Sequence, residues 1–307
     1  MPAAARPALS RRNALSATEI SARVERLLVY PVKSCAGVEL QEAVLTETGL
    51  DLDRAWMVVD EAGRFVTQRE LPRMALVRPQ LKLHEVVLRA PGMLALHLQI
   101  DAVEQPARVR IWDDEVGAYD MGPVAAQWFS DFLGRKLRLV RFDPDHRRLS
   151  SRKWTGEVEA LNQFSDGFPL LVASQASLDL LNEKLAAQGH GPVAMERFRP
   201  NIVLSGIEAH GEDRLAMLEI AADAPVHLQP VKPCGRCPIP DIDPATAEVD
   251  TAVSATLGTY RGNELLAGAP SFGMNLVIAG GIDQTLRVGQ PVRAIGRDAN
   301  HRIHFPP

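Results

Sequence analysis

Two of the three cysteines of this chain lie in one short segment that is flanked by prolines. The segment, residues 232–241, reads KPCGRCPIPD and contains Cys234 and Cys237. Two soft sulfur ligands at this spacing favour metal or redox chemistry. The prolines that follow Cys237 disfavour the helix that carries the second cysteine of a thioredoxin-like dithiol. We therefore predict a loop that holds a thiolate in a fixed place.

Zinc binding by this cysteine pair is disfavoured, because a structural zinc site needs four ligands, usually from two paired knuckles. The sequence has no second Cys-x-x-Cys and no His-x-His. Cys35, His210 and His227 could be recruited only from distant segments. A second alternative is that both thiols are structural, since buried free cysteine is common.

Three other segments place cationic or hydroxyl side chains next to apolar strands. Lys33 and Ser34 could grip an oxyanion together, and a solvated turn is the alternative. Arg54 precedes an apolar run, where an arginine usually forms a surface salt bridge. Arg197 and Arg199 precede another strand, and the proline that follows predicts extended geometry that points both to one side. Two adjacent guanidinium groups favour an anion between them, although two exposed arginines explain the pattern as well.

The composition is that of a globular protein, with 46% hydrophobic and 23% charged residues among 307. The net charge of −4 gives no reason to expect nucleic acid as a partner. Three cysteines do not form a disulfide framework in so long a chain, so we predict a reducing, cytoplasmic location. No apolar run approaches the roughly 20 residues that cross a bilayer, so we expect no membrane span. Residues 1–22 are predicted to be a loose tail, with a cleaved organellar presequence as the alternative.

Hydrophobic periodicity predicts many strands and few helices. In the first half we expect strands at 24–30, 55–60, 75–83, 94–100, 107–112 and 137–142, and a helix at 122–135. In the second half we expect strands at 170–173, 202–205, 218–221, 226–231, 275–279 and 292–295, and helices at 175–188 and 253–260. The absence of regular βαβ alternation indicates an α+β, mainly β, barrel-like architecture. We predict domains at 23–145 and 164–300, joined by a linker or loop at 146–163.

Several separated motifs together resemble one protein family. They are YPVKS at 30–34, DR at 53–54, TQR at 67–69, FSDGFP at 164–169, RFRPN at 197–201, and the cysteine pair followed by Asp243-Pro244. Their order and spacing resemble the MOSC-domain family, in the form of the mitochondrial amidoxime-reducing component and its bacterial relatives. The resemblance implies a β-barrel MOSC domain after a smaller β-rich N-terminal domain, whose first strands contribute to the cofactor site.

The cofactor that this resemblance implies is the molybdenum cofactor, Mo-molybdopterin. The family position that ligates molybdenum is Cys237 here, and a thiolate suits a metal in a sulfur-rich shell. Family contacts to the phosphate and the pterin fall on Lys33, Ser34, Arg54, Gly167, Phe168, Arg199, Asn201, Gly235 and Arg236. One anionic cofactor would explain why cationic residues occur in three distant segments. No haem, flavin or iron–sulfur motif is visible in the chain.

The activity that the resemblance implies is reduction of N-hydroxylated small molecules to amines or amidines. Electrons would come from a separate redox protein, of the ferredoxin type or the cytochrome type with its reductase. Asp241 and Asp243 follow the metal ligand closely and are candidates for proton transfer, with turn formation as the alternative. Two other functions stay open, a non-catalytic carrier of the molybdenum cofactor and a sulfur-transfer protein that uses Cys237. Prolines after Cys237, where many relatives have hydroxyl residues, leave the substrate range open.

Overall fold

The computed structural model describes residues 19–102 and 105–297. The predicted tail lies outside this part of the chain except for residues 19–22, which begin the first strand and so correct the predicted end of the tail. The N-terminal half contains β1 (Glu19–Val29), β2 (Val38–Leu40), β3 (Glu42–Thr46), β4 (Gly49–Leu50), β5 (Trp56–Val59), β6 (Arg78–Leu81), β7 (Glu85–Arg89), β8 (Leu96–Gln99), β9 (Gln105–Ile111), β10 (Asp114–Asp120), α1 (Gly122–Leu133) and β11 (Arg138–Phe142).

The C-terminal half is also mainly β. It contains α2 (Arg152–Thr155), β12 (Leu170–Ser174), α3 (Gln175–Ala187), β13 (Ile202–Ser205), β14 (Leu215–Ile220), β15 (Val226–Gly235), α4 (Ala252–Gly258), β16 (Ser271–Gly280), β17 (Thr285–Arg287) and β18 (Pro291–Gly296). Short 3-10 helices lie at Pro72–Leu76, Met195–Arg197, Gly211–Arg214, Ile239–Asp241 and Glu264–Leu266. The predicted α+β, mainly β class is confirmed.

A closed barrel of seven strands forms the larger unit. Its strands follow the order β13-β12-β16-β15-β14-β18-β1, and β1 closes the sheet by pairing with β13. The β12–β13 pair is parallel, and the other barrel pairs are antiparallel. Closure satisfies the backbone groups on both sides of each barrel strand, which an open sheet would leave unpaired at its edges. Leu27, Leu204, Leu218 and Leu276 lie in the apolar core of this unit and are fully buried.

The second unit packs two small sheets around α1. One sheet has the order β5-β11-β10-β9 and the other the order β6-β7-β8. Helix α1 buries Ala125, Trp128, Phe129 and Phe132 in one of the unit's cores. Val124 has helical spacing from Trp128, but it is 72% exposed, and Ala125, one position further on, is buried instead.

The first strands of the chain pair with strands from its C-terminal half. Strands β1 and β2 belong to the barrel sheet, and β3 pairs with β17 near the C-terminus.

The predicted linker, residues 146–163, contains α2 and a bridge between Leu149 and Leu161. Arg148 in this segment is 6% exposed and donates to the backbone oxygens of Gln163 and Ser165. Arg148 and the Leu149–Leu161 bridge therefore anchor this segment to the protein, while residues 151–153 of it are exposed.

Candidate functional site

One cavity of about 210 Å³ gathers the residues that the sequence singled out. Every predicted cofactor residue and Cys237 line it: Lys33, Ser34, Arg54, Gly167, Phe168, Arg199, Asn201, Gly235, Arg236 and Cys237. They come from the end of β1, the turn before β5, the segment before β12, the loop before β13 and the end of β15. The barrel and the second unit thus meet at this cavity, which we call the anion cavity.

Two guanidinium groups lie against one buried aromatic ring in the anion cavity. The Cζ atoms of Arg54 and Arg199 are 4.4 and 4.2 Å from the centroid of Tyr30, whose ring is 0% exposed. Arg54 pairs with the buried carboxylate of Asp53 and donates from Nη1 to Oδ1 of Asn201 at 3.2 Å. Burial, and then the nearby charge of Arg54, lower the pKa of Arg199 to about 10. The protein alone therefore holds two like charges close together, and the Asp53 carboxylate pairs with only one of them.

The backbone is left-handed at three cavity residues that are not glycine. The φ angles are 67° at Ser34, 51° at Arg54 and 57° at Arg199. Such conformations are disfavoured for L-residues with side chains and are concentrated at functional sites, where the surroundings hold them. The φ of Arg199 also overturns its predicted extended geometry. Arg197 turns elsewhere, donating to Oδ2 of Asp243 at 2.8 Å and to the oxygen of Pro240 at 3.0 Å.

Lys33 lines the anion cavity and is itself buried. Its ammonium group donates to the oxygen of Phe164 at 2.8 Å and to Oδ1 of Asp166 at 2.5 Å. Burial lowers the pKa of Lys33, and the Asp166 carboxylate opposes this shift. Desolvation within the cavity favours the neutral form of Asp166, although its side chain is 67% exposed, and the charge of Lys33 outweighs this effect and holds the pKa of Asp166 well below its usual range. Trp112 adds an indole hydrogen bond to Asp166 at 3.3 Å.

The cysteine pair is split between a strand and a loop. Strand β15 continues to Gly235, so Cys234 lies in the strand and only Cys237 lies in the loop that the prolines predicted for both. The strand can continue through Pro233 because the β15–β16 register shifts there. Arg236 donates from Nη1 to the sulfur of Cys234 at 3.0 Å and from Nη2 to the oxygen of Phe198 at 3.0 Å. The two thiols therefore have different surroundings.

Asp241 and Asp243 do not line the anion cavity. Asp241 is 3% exposed, and its Oδ1 accepts a hydrogen bond from the backbone nitrogen of Ser254 in α4 at 2.9 Å. Asp243 accepts from the backbone nitrogens of Ala245 and Thr246 at 2.7 and 3.2 Å. Burial alone would raise the pKa of Asp243, but these amides and Arg197 lower it. Both carboxylates thus have structural partners, and their part in proton transfer stays a prediction.

Other residues line the cavity without having been predicted as contacts. They are Thr67, Arg69, Ser165, Asp166, Leu170, Leu171, Phe198, Lys232, Cys234, Ile239 and Asn275. Alternation along β15 places Lys232 on the same side as Cys234, so the pattern could have identified it. Thr67, Arg69 and Asp166 lie in quoted motifs, whereas nothing in the sequence marked Asn275.

Unsatisfied donors indicate what the cavity binds. Nη2 of Arg199 and Nε of Arg236 are buried and have no hydrogen-bond partner among residues 19–102 and 105–297. A buried donor without an acceptor costs about 1–3 kcal/mol, more when it is charged. An anionic ligand that accepts from both would remove this cost. Together with the thiol of Cys237, the donor set fits a ligand with an anionic end and a metal that prefers sulfur.

In the described part of the chain, no group of three or more His, Cys, Asp or Glu side chains could hold a metal ion. No helix there is long and apolar enough to cross a membrane.

Comparison with known protein families matches both halves of the chain. Residues 21–136 match the MOSC N-terminal beta barrel domain, and residues 160–293 match the MOSC domain. The chain belongs to the MOSC-domain family, in its form with both domains.

Relatives match over most of the chain. It is 35% identical over 289 residues to mitochondrial amidoxime-reducing component 1 of Mus musculus, covering 89% of this chain and 82% of that protein. It is 34% identical over 284 residues to mitochondrial amidoxime reducing component 2 of Homo sapiens, covering 88% and 82%. Molybdenum cofactor sulfurase of Homo sapiens is 27% identical over 273 residues, covering 83% of this chain and 30% of that protein.

Proposed function

We propose that this protein binds the molybdenum cofactor in the anion cavity and reduces N-hydroxylated compounds to amines or amidines. The observation that carries the proposal is the convergence of Cys237 with six cationic side chains, two of which have buried donors without acceptors. The names of the relatives support the same chemistry. A cytoplasmic location and electrons from a separate redox protein are further parts of the proposal.

The chain's own groups have distinct tasks in this proposal. Lys33, Arg54 and Arg199 would bind the phosphate, and the Cys237 thiolate would ligate the metal. Asn201 would act mainly by positioning, because its amide already donates to the oxygen of Leu28 and accepts from the nitrogen of Leu171. When bound, the cofactor supplies two-electron chemistry at the N–O bond. The overall reaction consumes two electrons and two protons, breaks the N–O bond and releases water.

The sequence match to a molybdenum cofactor sulfurase favours a second candidate, sulfur transfer on Cys237. In that case the thiol would carry a persulfide and would not ligate metal. A non-catalytic carrier would need only the residues that bind the phosphate, Lys33, Arg54 and Arg199. These alternatives differ from the reductase in metal content and in turnover.

The test is metal analysis and turnover for protein made in a host that produces the cofactor. We expect near-stoichiometric molybdenum in the wild type, and reduction of an amidoxime with an artificial electron donor. Cys237→Ala should lose activity but should still retain some pterin, because the residues that bind the phosphate are unchanged. Cys234→Ala is the matched control. Full molybdenum without turnover would refute the reductase. Loss of activity in Cys234→Ala but not in Cys237→Ala would refute the ligand assignment.

A further inference from the structure

Two tryptophans outside the anion cavity lie against cationic residues that line it. The Cζ atom of Arg69 is 4.8 Å from the ring centroid of Trp112, and Nζ of Lys232 is 5.3 Å from that of Trp154. Arg69 and Lys232 both line the cavity. Nζ of Lys153 lies over the same Trp154 ring, at 5.4 Å. We call these five residues the aromatic rim.

Trp112 has a backbone conformation that bulky residues rarely adopt. It lies in the two-residue turn between β9 and β10, has a φ of 53° and is 44% exposed. Hairpin turns with positive φ favour Asn, Asp or Gly, because a large side chain is strained there. Strained positions of this kind are concentrated at functional sites. An exposed tryptophan is also the residue type that most often dominates binding at protein interfaces.

A buried arginine holds the rim in place. Arg148, in the segment before α2, donates to Oδ2 of Asp114 at the start of β10 at 2.8 Å, and to the oxygen of Ser165 at 2.6 Å. Trp112 donates to Oδ1 of Asp166, the next residue of that cavity segment, at 3.3 Å. The β9–β10 turn and the segment before α2 are therefore fixed to the same part of the cavity wall, so the rim is preformed.

Positive charge exceeds negative charge at the rim and its immediate flanks. Five cationic residues there form no salt bridge in the part of the chain that the structure describes: Arg69, Arg110, Arg152, Lys153 and Lys232. The carboxylates nearby are Asp166, which pairs with Lys33, and the exposed Asp113 and Glu157. This local excess of cations contrasts with the net charge of −4 of the whole chain. The rim therefore attracts an acidic partner.

The position of the rim suits the delivery of electrons. The proposed function needs a separate redox protein to reach a metal that Cys237 holds in the anion cavity. Cys237 shares the lining of this cavity with Arg69 and Lys232, the two rim residues that the tryptophans cover. Transient electron-transfer complexes need only a small interface, and a few aromatic anchors can provide most of its binding energy.

We infer that the aromatic rim is the docking surface for a small acidic electron-transfer protein. Trp112 and Trp154 are its apolar anchors, and Lys153 supplies an exposed charge that steers the partner. This inference rests on the proposed function and names where the partner of the same site binds.

The kinetic experiment supplies the molybdenum-loaded protein with electrons in two ways. An acidic ferredoxin or an acidic cytochrome domain must dock, whereas dithionite-reduced methyl viologen need not. Lys153→Glu should lower kcat/KM for the protein carrier about fivefold at low salt and flatten its salt dependence. The rate with methyl viologen should stay within about twofold of the wild type, because no docking is involved. Lys82→Glu, the same charge change in the exposed β6–β7 turn outside the cavity lining, is the matched control.

Two variants of Trp112 separate docking from a structural role. Trp112→Asn tolerates the left-handed φ but removes the ring, and should lower kcat/KM for the carrier about tenfold. Trp112→Phe keeps an aromatic face but loses the hydrogen bond to Asp166, and should stay within about threefold of the wild type. Equal losses in the two variants, together with a lower molybdenum content, would assign Trp112 to holding Asp166 and would contradict docking.

Calorimetric titration with the oxidised carrier measures docking without turnover. Affinity should fall in Lys153→Glu and Trp112→Asn, and with added salt in the wild type. Unchanged affinity and unchanged carrier rates in both variants would overturn the rim while the proposed function stands. Turnover with methyl viologen but with neither protein carrier would overturn it as well. If the fully loaded wild type turned over with no donor, the proposed function would fail, and the titration would still decide the docking.

Discussion

Arg54 donates from Nη2 to the backbone oxygen of Arg199 at 3.1 Å, and both guanidinium groups lie against the ring of Tyr30. One arginine thus fixes the backbone of the other across 145 positions of sequence. The two arginines differ in their partners, and the consequence of this difference can be measured. Arg54 has a buried carboxylate partner in Asp53, whereas Arg199 has a buried Nη2 with no acceptor.

Removing the two arginines should change the stability of the cofactor-free protein by unequal amounts. Arg54→Met leaves the Asp53 carboxylate buried without its cation and should lower the free energy of unfolding by about 3–5 kcal/mol. Arg199→Met removes an unsatisfied charge and one bond to the oxygen of Cys35, so the change should be within about 1 kcal/mol. Denaturant unfolding measures both. Equal destabilisation by the two variants would contradict the asymmetry.

The Lys33–Asp166 pair should set the alkaline limit of anion binding. Burial lowers the pKa of Lys33 and Asp166 raises it, so Asp166→Asn should lower that pKa further. Lys33 then loses its charge at lower pH, and sulfate affinity should fall at a lower pH than in the wild type. Titration calorimetry across the alkaline range measures the limit. Glu159→Gln, which removes the exposed partner of Arg147, is the control and should not move it.

Asp241 is expected to matter for stability more than for proton transfer. Asp241→Ala removes the acceptor for the Ser254 nitrogen in α4 and should cost about 1–2 kcal/mol. Asp241→Asn keeps an acceptor oxygen and should cost less. Both variants, once loaded with cofactor, should retain the pH–rate profile of the wild type. If the pH–rate profile of Asp241→Asn lacked one of the wild-type limbs, the carboxylate would instead be assigned to catalysis.

Two groups near β14 should give stability opposite dependences on pH. Burial raises the pKa of Asp213 to about 7 against the attraction of Arg261, so the folded state binds the extra proton and stability falls as pH rises toward 7. Burial lowers the pKa of His210 to about 3, so the unfolded state binds the extra proton and stability rises with pH up to about 6.5. The two trends oppose each other between about pH 4 and about pH 6.5.

Variants should separate the two trends. His210→Asn, which tolerates the left-handed φ of 57°, should leave stability that falls with rising pH. Asp213→Asn should leave stability that rises with pH. The slope in either case should not exceed about 1.4 kcal/mol per pH unit, the limit for one proton. Urea unfolding at about pH 4.5 and about pH 6.5 measures both slopes, and parallel slopes in the two variants would contradict the assignment.

A close packing contact should hold Tyr30 in place beneath both arginines. A Cβ atom on Gly37 would lie 2.6 Å from Cε1 of Tyr30, and that ring is fully buried. Gly37→Ala should therefore displace the ring and weaken sulfate binding by the anion cavity, by about tenfold or more. Gly92→Ala is the control, since that Cβ meets nothing within 4 Å, although its positive φ adds local strain. Unchanged sulfate affinity in Gly37→Ala would show that the ring position is not critical.

The sequence was sufficient to predict elements whose structure depends on interactions between residues close together in the chain. Alternation predicted β13 at its observed bounds, and the hydroxyl of Ser174 caps α3 by accepting from the Ser177 nitrogen, as predicted. Strands with polar or charged residues, such as β2 and β10, were missed, because pairing with neighbouring strands and not periodicity stabilises them. The β15 strand extends to Gly235 because a register shift accommodates Pro233, which no local rule indicates.

The sequence by itself determined which residue types were available for chemistry, namely two cysteines in a proline-rich segment and cations in three distant segments. Only the tertiary structure decided that these segments meet, since closing the barrel brings together residues that are far apart in the chain. It also decided that Asp241 caps a helix and that Trp112 lies against Arg69 of the cavity wall. The physical reason is that composition and periodicity encode local preferences, whereas burial, unsatisfied donors and shared walls arise only from long-range packing.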